Sequence, residues 1–194
     1  MRILTVGYRS VNCYLLITAK AKLLIDVGWP GGMQELKWSL AGANLSVKDV
    51  THVLITHYHI DHGRIAQEMK DKGTKLIVME SQQEHLNDQK KFIRPPMVFH
   101  EIKNEDNILL KFKDSRVFLE VLCIAGEIIP TTGHSQDHVS LILDDGNAFT
   151  GDLPTENAAP EGSDAFKDWQ HLCSMKVKRI YPAHGQPYDL PLRA

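Results

Sequence analysis

Thr56-His57-Tyr58-His59-Ile60-Asp61-His62-Gly63 follows the apolar run Val53-Leu54-Ile55, and its reading decides how the rest of the chain is understood. Three histidines and one aspartate fall within the six residues 57–62. Imidazole nitrogens and carboxylate oxygens are ligands that zinc, iron and manganese accept. In an extended segment side chains alternate with period two, so His57 and His59 point the same way and can share one metal. Asp61 and His62 come at the turn into a helix and can face a second metal about 3.5–4 Å from the first.

Working outward, His52–Thr56 reads as a short strand, Gly63–Lys72 as a helix with Ile65, Ala66 and Met69 inward, and Lys75–Met79 as the next strand. This is a β-α-β unit. Upstream, Leu4–Gly7, Cys13–Thr18 and Lys22–Val27 are predicted strands, and Met33–Ala41 a helix burying Met33, Leu36 and Leu40. Downstream, a helix is predicted over Ser81–Gln89 with Ser81 as its cap, ended by Arg94-Pro95-Pro96. Strands follow at Val117–Leu122, Glu127–Thr131, Val139–Leu143 and Ala148–Phe149, with a hairpin turn at Asp144-Asp145-Gly146-Asn147. Ser163 caps a last helix carrying Phe166, Trp169 and Leu172, and Lys178–Tyr181 is a final strand. No linker, repeat or low-complexity segment interrupts residues 1–194, so one α+β domain with a layered sandwich is expected.

One cluster supplies at most four ligands, and two metals need more. His134 in Thr132-Gly133-His134-Ser135, Asp152 in Thr150-Gly151-Asp152-Leu153 and His184 in Pro182-Ala183-His184-Gly185 each follow a predicted strand beside a glycine. Such loops let polar side chains converge on a rigid scaffold. His138 can either orient a ligand or be an ordinary hydrogen-bonded histidine. Tyr58 and Tyr181 can either reach a substrate oxygen or pack in the core.

The ordered pattern H-x-H-x-D-H, G-H, G-D, H-G resembles the metallo-β-lactamase superfamily, over nearly the whole chain from Asp26 to His184. The resemblance implies a four-layer αββα sandwich with the metals at one edge of the sheets. It implies that His57, His59 and His134 bind one metal, that Asp61, His62 and His184 bind a second, and that Asp152 bridges both. Asp26 is then a structural support rather than a ligand. The metals expected are two divalent ions, zinc first, with iron or manganese also accepted.

A two-metal site lowers the pKa of bound water from about 15.7 towards 7, so a bridging hydroxide is available at neutral pH. Asp61 is the expected catalytic residue, orienting that hydroxide or relaying its proton. Hydrolysis of an acyl bond in a small molecule (a thioester, lactone or similar ester) follows, with a phosphodiesterase or a di-iron redox enzyme as alternatives. Asp152 stands where the commonest zinc β-lactamases have cysteine, and residues 132–140 resemble the glyoxalase II type. The chain ends ten residues after His184, and the stretch Leu153–Gly162 lacks a basic and tyrosine pattern for gripping glutathione. A compact acyl hydrolase is the member expected.

Composition limits the partners. The chain is 43% hydrophobic and 24% charged, with a net charge of -2, so no nucleic-acid partner is expected. Cys13, Cys123 and Cys173 are odd in number and none are spaced C-x-x-C, which disfavours a disulfide scaffold or a thiolate cluster. The N-terminus has neither a spanning run nor a signal-peptide pattern, so no membrane association and a cytoplasmic location are expected. Oligomeric state is not legible.

Overall fold

A computed structural model describes residues 1–191. It contains two mixed sheets. The first joins β1 (Arg2–Thr5), β2 (Tyr14–Ile17), β3 (Lys22–Ile25), β4 (His52–Leu54), β5 (Lys75–Met79) and β6 (Ile108–Leu110) in that order. β1 to β3 are antiparallel, and β3 to β6 run parallel. The second contains β7 (Gly126–Pro130), β8 (Val139–Leu143), β9 (Asn147–Gly151), β10 (Arg179–Pro182) and β11 (Tyr188–Asp189), ordered β11-β10-β9-β8-β7. β7 and β9 both pair antiparallel with β8, and β10 is parallel to β9. The C-terminal ends of β7, β9 and β10 therefore share one edge.

Period-two alternation sorts the apolar residues into layers. Leu15, Leu24, Val53 and Leu76 face outward from the first sheet and pack against Leu36 and Leu40 of α1 (Met33–Gly42) and Met69 of α2 (Ala66–Lys70). Their neighbours Leu16, Leu23, Leu54 and Ile77 face the other way and meet Ile128, Leu141 and Phe149 of the second sheet. Ile142, Ala148 and Ile180 on the outer face of that sheet are covered by Trp169 and Leu172 of α4 (Asp164–Ser174). The result is a helix–sheet–sheet–helix sandwich. Both faces of each sheet are buried, so most strands read as continuous apolar runs rather than clean alternations.

The sequence placed most elements and misassigned some. Val117–Leu122, expected as a strand, forms most of α3 (Ser115–Val121) and its C-cap, Leu122. Its β-branched Val117 and Val121 are exposed, while Leu119 and Leu122, three apart, enter the inter-sheet core. Tertiary burial outweighs weak strand propensity there. The helix over Ser81–Gln89 is a series of turns followed by a 3-10 segment, Asp88–Phe92. The Ser81 hydroxyl caps nothing, and the buried Gln82 carboxamide bonds neighbouring loops instead. The helix after Gly63 spans only Ala66–Lys70, the first strand lies at Arg2–Thr5, and β6 and β11 had no clear sequence signal.

Phe149 is fully buried between Tyr14 and Tyr181, with ring centroids at 5.4 and 4.9 Å. Phe149→Ala is expected to lower unfolding free energy by about 3–5 kcal/mol, measured by urea denaturation.

Candidate metal centre

Every residue singled out for the metal site lies just beyond a strand. Asp26 follows β3, His57 to His62 follow β4, His134 follows β7, Asp152 follows β9 and His184 follows β10. Bonds between the sheets bring these ends together. Thr56 O accepts from Val139 N (2.8 Å), Ala183 O from Asn12 N (2.7 Å), and Pro182 O from the Tyr14 hydroxyl (2.7 Å). Gln82 Nε2 donates to Ile55 O (2.8 Å) and Asp137 O (3.1 Å), joining the β4 loop to the β7–β8 loop.

All seven candidate ligands converge. His134 Nε2 lies 3.1 Å from both His57 Nε2 and His59 Nδ1. His62 Nε2 lies 3.4 Å from Asp61 Oδ1 and 3.3 Å from Asp152 Oδ2. His184 Nε2 lies 3.1 Å from Asp61 Oδ2 and 3.3 Å from Asp152 Oδ1. The ligand atoms form three overlapping groups: His57/His59/His134, His57/His62/Asp152 and Asp61/His62/His184. Asp152 presents one oxygen towards His57 and His62 and the other towards His184.

These residues fit a metal on two counts. Tetrahedral ligand atoms about 2.0–2.1 Å from a zinc ion stand roughly 3.3 Å apart, as most of these pairs do. His62 Nε2 and Asp152 Oδ1 are also buried without a hydrogen-bond partner, although each has an oppositely charged neighbour nearby. Orphaned buried polar atoms are costly, and a cation held between them removes the cost.

The hydrogen bonds behind the cluster fix which nitrogens face inward. Asp26, 1% exposed, accepts from Thr56 N (2.8 Å), from the Thr56 hydroxyl (2.8 Å) and from His62 Nδ1 (3.0 Å). With the Thr56 proton directed to Asp26, His57 Nδ1 donates to Thr56 Oγ1 (3.2 Å) and its Nε2 lone pair faces the cluster. His184 Nδ1 donates to Ser10 O at 2.5 Å, leaving its Nε2 for the site.

Electrostatics divide the histidines of the cluster. Burial and the neighbouring His62, His138 and His134 hold His57 well below the ordinary histidine value, in the neutral form a metal requires. Burial likewise lowers His134. Burial pushes His62 down too, but the carboxylates of Asp26 and Asp152 outweigh it and raise His62 to about 10. The Asp152 carboxyl, pushed up by burial, is pulled below its usual range by His62 and His184.

Three residues outside the ligand set support the cluster. His138, fully buried, accepts the Asp152 amide proton on Nε2 (3.2 Å), while its Nδ1 meets Thr131 Oγ1 (2.8 Å). Of the two roles open to His138 in the sequence, the structure gives it this backbone contact. Asp137 Oδ2 accepts Tyr58 N (2.7 Å), and the Gln82 carboxamide ties the two loops. Strand-adjacent polar residues buried in apolar surroundings are the signal, but one too common to select them. Tyr58 and Tyr181 pack in the cores.

Gly151 lets the Asp152 loop approach. At φ +50 it is left-handed, and an added Cβ would stand 2.6 Å from His138 Nε2 and 2.7 Å from Thr56 Oγ1. Gly151→Ala is expected to weaken zinc binding about tenfold or more by calorimetric titration, because Asp152 and His138 cannot both keep their places. His138 also predicts a pH effect. Burial, reinforced by His134, lowers it from 6.5 to about 3. The unfolded chain therefore takes up this proton first, and the stability is present above pH 6.5 and lost as pH falls towards 3. His138→Gln is expected to flatten the acid loss of unfolding free energy by about 1.4 kcal/mol per pH unit between about pH 6 and 4, read from urea titrations across pH.

Comparison with known proteins agrees with this geometry. Residues 6–184 match the sequence profile described as Metallo-beta-lactamase superfamily. A beta-lactamase-like protein 2 homolog of Caenorhabditis elegans is 29% identical over 93% of this chain and 58% of its own length. An atrochrysone carboxyl ACP thioesterase of Claviceps purpurea is 28% identical over 95% of this chain and 54% of its own. The chain thus spans little more than half the length of these relatives. Among solved structures, a metallo-beta-lactamase family protein from Thermus thermophilus superposes with a TM-score of 0.74 at 19% identity, covering 97% of this chain and 74% of that one. The chain belongs to the metallo-beta-lactamase superfamily.

Proposed function

We propose that this protein is a two-metal hydrolase that cleaves the acyl bond of a small molecule, a thioester or lactone foremost. The observation that carries the reading is the pair of candidate groups, His57/His59/His134 and Asp61/His62/His184, with Asp152 Oδ2 near His57 and His134 of the first and Asp152 Oδ1 near His184 of the second. His57, His59 and His134 would hold one ion and Asp61, His62 and His184 the other, with Asp152 offering its oxygens to both groups. Divalent ions held there supply Lewis acidity and lower the pKa of water towards about 7. The donor set suits zinc, iron or manganese.

This chain's residues supply the rest. Asp61, 16% exposed, lies beside His184 at the mouth of the site, where it orients an incoming water and accepts its proton. Water oxygen bonds to the acyl carbon, the bond to sulfur or alkoxide oxygen breaks, and the proton passes to that leaving group. The thioesterase named among the relatives supports an acyl substrate. Among the described residues no helix is long and apolar enough to cross a membrane.

The test is elemental analysis beside a panel of a thioester, a lactone, a β-lactam and bis-p-nitrophenyl phosphate. About two metals per chain, with thioester or lactone turnover abolished by chelation, is the expected result. Turnover of the phosphodiester alone would replace this reading. Asp61→Ala is expected to lower kcat by about 100-fold or more while the far-ultraviolet circular dichroism is unchanged; a variant at full rate would overturn the role given to Asp61.

A further inference from the structure

His184 is the exposed member of the seven candidate ligands, whereas the other six are buried or half-buried. His57, His62 and Asp152 are backed by the buried residues Thr56, Asp26 and His138. His184 stands instead in the connection between β10 and β11, where the chain turns through Gly185 at φ +87. A ligand on such a turn keeps its place when the backbone on both sides of it is held.

The hold comes from residues 10–12, at the other end of the chain. Ser10 O accepts from His184 Nδ1 at 2.5 Å, which turns Nε2 towards Asp61 and Asp152. Asn12 grips the backbone. Its amide N donates to Ala183 O (2.7 Å), and its Nδ2 donates to Pro182 O (3.0 Å) and Gly185 O (2.7 Å). Both side-chain partners are carbonyls, which only accept, so the nitrogen of the carboxamide faces them and both of its protons are used. These two carbonyls bracket His184 in the chain.

The side chain does something the neighbouring backbone does not. Without it, Pro182 O keeps the Tyr14 hydroxyl (2.7 Å), and the Asn12 amide still reaches Ala183 O. The join between residue 12 and the end of β10 survives, but Gly185 O loses the bond from Nδ2 and the turn after His184 is released. The ligands His57, His59 and His134 follow β4 and β7 instead.

Resting on the two-metal reading, we propose that the Asn12 carboxamide is the positioning group for His184 and sets the affinity of the Asp61/His62/His184 site separately from that of the His57/His59/His134 site. Asn12 touches neither ion nor substrate and acts through the turn 182–185. It holds His184 Nε2 3.1 Å from Asp61 Oδ2 and 3.3 Å from Asp152 Oδ1 before any ion arrives, so the ordering of that turn is not charged against binding.

The experiment is calorimetric titration with zinc of wild type, of Asn12→Ala and of Asn12→Asp, which keeps the size of the side chain and loses its donors. Both variants are expected to bind the second zinc about 10- to 100-fold more weakly and the first within about twofold of wild type. An unchanged second affinity, or an equal loss at both sites, would overturn the role given to Asn12. If wild type takes up fewer than two ions, the two-metal reading fails separately, and Asn12 is judged on the metal-free protein by NMR of the histidine ring nitrogens. One sharp His184 signal set with the proton on Nδ1 in wild type, broadened or doubled in both variants, supports the positioning role. Identical His184 signals in all three proteins overturn it.

Discussion

The carboxylate of Asp26 lies in the interior where β3 ends, at φ +58, and gathers hydrogen bonds from the Thr56 amide, the Thr56 hydroxyl and His62 Nδ1. A buried charge with no such partners would cost several kcal/mol, so the surrounding backbone is held to the geometry that satisfies it. Thr56 in turn receives His57 Nδ1, which sets the tautomer of the histidine common to two of the ligand groups. One carboxylate thus positions both ends of the segment 57–62. The left-handed backbone at Asp26 is tolerated because its side chain is tied on every side.

The second constraint is directional. β7, β9 and β10 run the same way, and β3 and β4 do so in the facing sheet. Loops leaving these strands therefore emerge together, and cross-sheet bonds such as Val139 N to Thr56 O hold the two edges in register. The apolar layers make this edge rigid without taking part in it. Polar side chains concentrate at the one rim where strand ends free the backbone from sheet pairing.

Charge follows from this crowding. Four of the candidate ligands are histidines that are buried or half-buried. His57 is held neutral by burial and other histidines, whereas His62 is drawn towards the charged form by Asp26 and Asp152. A metal held in this volume would displace the His62 proton and take over the pairing of the Asp152 carboxylate.

The candidate residues were legible because metal ligation demands particular donor types, and H-x-H-x-D-H places four of them within six residues beside an apolar strand. The αββα layering was legible from the ordered motifs, and the short strands of both sheets mostly fell where apolar runs and turn residues put them. Residues 80–110 were not, since their turns are stabilised by distant partners such as Asn87 with Ile102 and Lys70 with Asn107 rather than by local periodicity. Nor could α3 be told from a strand, because Val117 and Val121 carry strand propensity while only the sandwich decides which residues are covered. The sequence by itself determined the candidate donor residues and their order, whereas the nitrogen each histidine presents was decided by the fold. Tertiary structure alone decided that His138 holds the Asp152 amide and that Gln82 ties two loops together. Each of those contacts joins residues far apart in the chain, and no local pattern encodes a distance that only the packing of two sheets creates.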